Sequence, residues 1–525
     1  MSRNDSDASV QITANAEPLA DAPMQGVNLV IATLALGMGS FMNILDLSIA
    51  NVSVPTIAGD LGVSPTQGTW VITSYAVSEA IMMPLTGWLA GRFGQVRMFV
   101  VATALFTLAS VLCGSSPTFP MLLSSRVMQG MAGASMIPLS QTLITSIFRP
   151  ERRGLGLGIW AMTTVVAPIA GPLAGGWFTD NLTWHWIFLM NLPFGILVAS
   201  LVSVLFRGRE SQRRKLPVDL TGLGLLIIGI GSLQILLDKG NELDWFGSNF
   251  IIGLASLSAF ALTLFVAWEL TEEHPVVDLR LFAKRNFLVG AVSLLIGTVG
   301  FFGIIVVLPL WLQSYQGYTS MWAGKVVAFG GVLAVILGPI VGANIHRIDA
   351  RYVSTFGFTT FALVAFWSTR FTPDVDFWTV ATTRLLMGIG ISCFFLPLVT
   401  ISLSGLAPGQ IAAAAGITNF MRNIGSSFGT ATLTTFWVNE ATREHAIMTE
   451  HINAYNPQYL DYLGRLKALG MPPEQARAYI DHLIIVQAHV IATDSVLALS
   501  GTLMLALIGV VWWARPPFIA QGGAH

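Results

Sequence analysis

Long apolar runs separated by short polar connections fill the 525-residue chain from Val27 onward. Fourteen such runs cover about 27–54, 69–90, 97–115, 119–147, 154–178, 185–206, 219–237, 249–269, 287–313, 321–344, 352–371, 376–402, 411–437 and 488–514. About 20 helical residues cross the hydrocarbon of a bilayer. The pattern therefore predicts an all-α polytopic membrane protein with fourteen transmembrane helices. Residues 1–26, rich in Asn, Asp, Ser and Ala, predict a disordered tail. The first apolar run is too long for the core of a cleavable signal segment, so none is expected. The connection 438–489 is the one long one. In it, Tyr459 to Leu466 has helical apolar spacing that stops at Gly470, and Pro472-Pro473-Glu474-Gln475 has the form of a second helix start. A small helical hairpin outside the membrane is expected there.

Charge in the connections orients the spans. With the N-terminus inside, the inner segments hold seventeen Lys and Arg and the outer loops six, four of those six in the long loop. The excess of positive charge marks the cytoplasmic side, so both termini are expected to be cytoplasmic. An internal repeat is also present. Pro84 to Gly87 with Arg92 matches Pro339 to Gly342 with Arg347, and Arg126 to Gly130 matches Arg384 to Gly388. The offsets, 255 and 258, are nearly equal, and both matches fall at equivalent places in their spans. The repeat unit is six spans, an even number, so the copies keep one orientation. This organisation suits a transporter with a midplane site between halves. The expected division is a six-helix half at 27–206, two extra spans at 219–269, and a six-helix half at 287–514 that contains the periplasmic loop 438–489.

Composition agrees with the pattern: 54% of residues are hydrophobic and 10% charged, against about 25% charged in a soluble domain. Net charge is −1 with no acidic or basic block, which excludes a nucleic-acid partner. Cys113 and Cys393 sit inside separate apolar runs and read as buried free thiols. The eight histidines are scattered without a metal or nucleophile motif, so no metal, cofactor or enzyme activity is expected.

Charges inside the spans carry the candidate chemistry. Asp46 lies in the first span on one helical face with Gly39, Asn43, Ala50 and Ser53. That face reads either as the wall of a wet cavity or as a helix-packing face. A carboxylate at membrane depth costs at least ~2.5 kcal/mol on the most lenient scale and is a proton-carrier candidate by default. Glu79, one turn from Tyr75 and beside Met82 and Met83, fits a site for greasy cations, a second proton site, or an ion pair with an arginine. Arg126 shares a face with Gln129, Gly130 and Gly133 and stays charged at any relevant pH. It either serves a carboxylate or forms a structural ion pair. Asp46, Glu79 and Arg126 are the proton-coupling candidates. Asn43, Tyr75, Met82, Met83, Gln129, Gln313, Asn419 and Arg422 are the cargo-cavity candidates. Lys325, Arg384 and Asp494 are further charges within spans, with Lys325 placed to snorkel. The fifth span carries Ala167, Gly171 and Gly175 at fourfold spacing with Pro168, Pro172 and Gly176, which allows close helix approach and bending. Gly425 to Gly429 repeats the small-residue spacing one turn after Arg422.

These motifs resemble the fourteen-span drug/proton antiporters of the major facilitator superfamily. Leu45-Asp46 through Pro55 is similar to that family's first-span motif. Gly87-Trp88-Leu89-Ala90-Gly91-Arg92-Phe93-Gly94 resembles the superfamily's loop between spans two and three. Arg126 to Gly133 resembles its fourth-span motif, and Ala167 to Gly176 the antiporter signature of the fifth. Gln67 to Ser74, Gly231 to Ile235, Glu242 to Phe246, Pro275 to Leu279 and the terminal Gly-Gly-Ala-His525 bring the likeness closer to inner-membrane pumps of tripartite drug exporters. There are departures. An acid usual in the loop motif is replaced by Gly91, the fifth-span motif opens with Ala167 instead of Gly, and Glu79 lies outside the shared pattern. The resemblance implies efflux of amphipathic toxic compounds driven by inward proton flow, across the cell inner membrane. It also implies a periplasmic adaptor, for which loop 438–489 is the expected docking element, and an outer-membrane channel. Gly87, Arg92 and Gly94 join Gly171, Pro172, Gly175 and Gly176 as gating and helix-packing candidates.

Overall fold

The computed structural model describes residues 23–518 except 212, 214–216, 218, 451 and 454. The expected tail therefore falls outside the described residues up to 22, as does the terminal Gly-Gly-Ala-His525. Every regular element among the described residues is helical. Fourteen helices or broken helices occupy the places of the fourteen apolar runs. They are α1 (Gly26–Asp60), α2 (Trp70–Met82 and Thr86–Phe93), α3 (Gln95–Gly114), α4 (Phe119–Gly133 and Met136–Ile147), α5 (Arg153–Asn181), α6 (Trp186–Leu189 and Asn191–Leu205) and α7 (Leu220–Lys239). The others are α8 (Asn249–Thr271), α9 (Arg285–Tyr315), α10 (Ser320–Asn344), α11 (Ala350–Ser368), α12 (Phe377–Leu403), α13 (Ile411–Glu450) and α14 (Pro473–Val511). Nine helices among the described residues are long and apolar enough to cross a membrane by length and composition.

The breaks have local causes. A proline cannot donate the hydrogen bond that a helix requires of it. Pro84 interrupts α2 and leaves the Ala80 carbonyl without its usual donor, and just past the break Thr86 Oγ1 donates to the Met83 carbonyl at 2.8 Å. Pro138 leaves the Ala134 carbonyl without its usual donor at the break of α4, and Pro193 does the same for Leu189 in α6. Starts are capped in the usual way: Asp219 accepts from Thr221 and Gly222, and Asp376 from Trp378 and Thr379.

Helix packing repeats along the chain. Within the first six helices, α1 packs on α5 and α6, α4 on α2 and α3, and α3 on α6. The same scheme recurs eight helices further on, past the rest of the first six and the α7–α8 insertion. There α9 packs on α13 and α14, α12 on α10 and α11, and α11 on α14. Between the sets, α5 runs against α10, and α13 against α2 and α4. Glycines let these backbones touch on the side of the membrane where α1 begins. A Cβ on Gly158 would stand 2.7 Å from the Gly338 carbonyl, and one on Gly87 would stand 2.5 Å from Ala413 Cα. Gly154 meets the Gly342 carbonyl in the same way. The two sets are thus closed on each other on the N-terminal side.

Polarity and helix ends differ at the long loop. Helix α13 continues to Glu450 and α14 starts at Pro473, so only a short helix, Pro457–Ala468, lies between them. The apolar signal fades beyond 437 because that end of α13 is polar and largely exposed, not because the helix stops. Leu463 and Leu466 of the short helix pack on Ala476 and Ile480 of α14, which forms the expected hairpin from an extension of the last span.

Candidate functional site

The site grows from a carboxylate buried inside the first six helices. Asp46 is 2% exposed and Arg126 fully buried. Arg126 Nη1 donates to Asp46 Oδ2 at 2.5 Å, and its Nε donates to the Val71 carbonyl at 3.0 Å. Gln129, one turn along α4, accepts from Arg126 at 2.7 Å and donates to Asp46 Oδ1 at 2.9 Å. Asn191, at the break of α6, also donates to Asp46 Oδ1 at 2.9 Å. Ser110 of α3 accepts from Gln129 and Asn191. Helices α4 and α6 therefore supply the donors to the α1 carboxylate, and Ser110 of α3 holds two of those donors in place.

Above the guanidinium lies Tyr75, whose ring centroid is 4.4 Å from Arg126 Cζ, with Phe188 at 5.4 Å. Such contacts favour a desolvated cation. Tyr75 donates to Asn43 Oδ1, and Asn43 donates to the Gly133 carbonyl. The polar face of α1 is thus buried within the first six helices: Asn43, Asp46, Ala50 and Ser53 are all 2% exposed or less. Of the two readings the sequence left open for this face, the wet cavity wall is not what is seen. An apolar cavity of about 230 Å³ between α1, α5 and α6 is lined by none of these residues and reaches the Asp46 network only through Asn191 of α6.

Chemically, the arrangement gathers donors on one charge. Both Asp46 oxygens accept from Arg and amide N–H groups, three donors for a carboxylate with about four lone-pair sites. The negative charge of one α1 side chain is thereby tied to the contacts of α1 with α4 and with α6.

Glu79 lies beside this network, at the junction of α2 with α13, near Asn43 and within electrostatic reach of Arg422, Arg126 and Asp46. It is 4% exposed, Asn423 of α13 donates to its Oε2 at 3.4 Å, and its Oε1 has no hydrogen-bond partner among the described residues. Arg422 is half-buried and forms no ion pair with it. Asn419, one turn earlier, donates to Gln141 of α4 at 2.7 Å, a contact between the two helix sets. Met83 is buried and Met82 half-buried beside Glu79, whereas Gln313 is exposed near the end of α9.

The gating candidates divide. Gly171 packs against Ser48, and a Cβ on Gly175 would stand 3.1 Å from the Ile49 carbonyl, so both let α5 approach α1. Gly176 faces open space, which removes close approach as its reason, and the side chain of Pro172 lies outside those described. Gly94 has φ 94°, a conformation that favours glycine. Arg92 lies over the Trp88 ring at 5.4 Å. Glu210, from the connection after α6, accepts from the Val96 and Arg97 backbone amides at the start of α3. An anion there is favoured by the helix dipole, and it supplies an acid to the loop whose motif has Gly91.

Sequence reasoning missed Asn191, Ser110 and Glu210. The first two are single polar residues in apolar runs, and Glu210 sits in an unremarkable polar connection. A buried Asn beside a helix-breaking proline was the signal available.

The model of the Major Facilitator Superfamily matches residues 36–430. The chain belongs to that superfamily. Among its relatives, the Multidrug export protein EmrB of Escherichia coli (strain K12) is 45% identical over 502 residues, covering 95% of this chain and 98% of that one. The Fatty acid resistance protein FarB of Neisseria gonorrhoeae is 42% identical over 503 residues, covering 96% and 99%. Among solved structures, the human organic anion transporter MFSD10 (TETRAN) aligns with TM-score 0.54 at 13% identity, over 91% of this chain and 100% of that one. That likeness speaks for the superfamily fold, an all-α polytopic membrane architecture.

Proposed function

We propose that the chain exports amphipathic toxic compounds across the cell inner membrane in exchange for protons, with both termini cytoplasmic. Asp46 carries this reading: it is a membrane carboxylate whose three donors come from three side chains on two other helices. Its protonation would shift helices without any cofactor. The relatives named for multidrug export support the cargo class. We divide the chain into working halves at 27–206 and 287–514 with 219–269 between them, and assign Glu79, Asn419 and Arg422 to the cavity where the halves meet. Exposed Tyr455, Leu460 and Leu469 on the outer hairpin support docking of a periplasmic adaptor that leads to an outer-membrane channel.

The test is Asp46→Asn, which keeps shape and removes the titratable acid. In inverted vesicles with an imposed proton gradient, accumulation of a lipophilic dye should fall to background while dye binding persists. Wild-type accumulation would refute proton coupling at Asp46. A second reading, export of an endogenous lipid or metabolite by the same mechanism, is favoured by the relative named for fatty acid resistance. It expects resistance to fatty acids and little response to dyes.

A further inference from the structure

Of three stretches noted in the sequence, 67–74 and 242–246 meet at the end of α7 farthest from the N-terminus, and 231–235 lies within α7 one to two turns before that end. Helix α7 lies in the seam between α2 and α13. Toward α2 the packing is continuous. A Cβ on Gly231 would stand 3.6 Å from Ile81 and 3.9 Å from Val77. At the far end the Lys239 ammonium is 4% exposed, donates to Thr69 Oγ1 and to Glu242 at 2.8 Å, and lies over the Trp70 ring.

Toward α13 the attachment is different in kind. Beside the apolar packing of Leu236 and Leu237 with Ala431, two neutral hydrogen bonds make it: Gln234 Nε2 to Ser427 Oγ at 2.8 Å, and Trp245 Nε1 to Thr435 Oγ1 at 2.8 Å. Both acceptors are only half-buried. The second bond is held by an unusual turn. Asp244 and Trp245 have φ of 58° and 43°, which bulky side chains rarely adopt. Gly240 makes room for the indole, since a Cβ there would stand 2.6 Å from the ring. Strain of this sort persists only where the surroundings impose it, and it collects at switching sites. Near the N-terminal side, Leu226 and Ile230 share one apolar cluster with Ala80 and Leu85 of α2 and Ala414 and Ile417 of α13. Such contacts are non-directional and can serve as a pivot.

We infer that the α7–α8 insertion moves with α2, and that the Gln234–Ser427 and Trp245–Thr435 bonds are a latch to the second half that opens when the halves rock. The inference rests on the transport reading only in needing the halves to move. A buried, charge-assisted anchor holds one side of α7, while exchangeable neutral bonds and non-directional apolar contacts hold the other, so relative motion parts the second side first.

The test uses two cysteine pairs in the full-length protein in vesicles, with the parent protein as reagent control. Val77→Cys with Gly231→Cys is joined as a disulfide. Gln234→Cys with Ser427→Cys is joined by a short bis-thiosulfonate. The first bridge should leave dye transport within about twofold, and the second should lower it at least about tenfold, restored by reductant, as expected when one of two exchanging states is trapped. A readout independent of cargo separates this inference from the transport reading. Added to each pair, Gly154→Leu wedges the N-terminal side apart, which should lower bridging at 234/427 and leave bridging at 77/231 unchanged. Trp245→Phe, which keeps the ring and loses the bond, should also lower bridging at 234/427. Equal arrest by both bridges, or bridging at 234/427 that ignores Gly154→Leu, overturns the latch.

Discussion

At the scale of single residues, Asp46 and Arg126 are bound to each other's fate. Removing one member of a buried ion pair costs about 3–5 kcal/mol, because the other charge is left unpaired. Arg126 also spans three acceptors, the Val71 carbonyl, Gln129 and Asp46, through a planar fork. Lysine offers a point charge that cannot reach all three. Arg126→Lys is therefore expected to fold and reach the membrane but to lose most proton-driven dye export, measured in inverted vesicles. Export equal to wild type would leave the guanidinium with no role beyond its charge. Asn191 tests the same site from the α6 side. Asn191→Leu removes a donor to Asp46 and one to Ser110. The contact of α6 with α1 at Asp46 is then weakened, so proton-driven dye export in inverted vesicles should fall while the protein still reaches the membrane. Export equal to wild type would confine Asn191 to packing.

At the scale of elements, α5 and the outer hairpin make separate forecasts. Helix α5 meets α1 through glycine at Gly171 and Gly175. A leucine at Gly171 has to displace Ser48, whose hydroxyl donates to the Pro168 carbonyl across the same contact. Overpacking of this kind costs typically about 1–3 kcal/mol. Gly171→Leu should lower thermal stability and dye export together. Gly176→Leu should leave both near wild type, since Gly176 faces open space. A thermal melt and a vesicle assay on each variant decide the matter. The hairpin forecast concerns handover. Replacing the segment between Asn439 and His482 by a short Gly/Ser linker removes the end of α13, the short helix and the start of α14. Vesicle transport should persist while whole-cell resistance and adaptor pull-down are lost. Full adaptor recovery by the deletion variant would refute docking there.

At the scale of the whole molecule, the contact between helix sets is one of backbone on backbone. Gly154 on Gly342, Gly158 on Gly338 and Gly87 on Ala413 close the N-terminal side without side chains between. This kind of seal is sensitive to single methyl groups. Gly158→Val should hold that side open and raise the reactivity of a cysteine placed at Asn419 toward a membrane-impermeant maleimide applied from the N-terminal side. No change in labelling rate would place the seal elsewhere.

The sequence by itself determined the all-α membrane fold and the places of its helices. Apolar runs about one bilayer thick leave the backbone little choice but to pair internally. It also singled out Asp46 and Arg126, because a charge inside such a run is conspicuous, and Gln129, because it shares the face of Arg126. Which way the polar face of α1 turns was decided only by tertiary structure, for periodicity marks a face without naming what packs on it. Asn191, Ser110 and Glu210 entered in the same manner: each is ordinary in its own segment and acquires a partner only when helices far apart in the chain meet. The placing of Glu79 between the Asp46 network and α13 and the two-sided attachment of α7 are likewise properties of helix packing. Hydrogen bonds and close backbone contacts depend on distances of a few ångströms between distant segments, and one-dimensional spacing does not carry them.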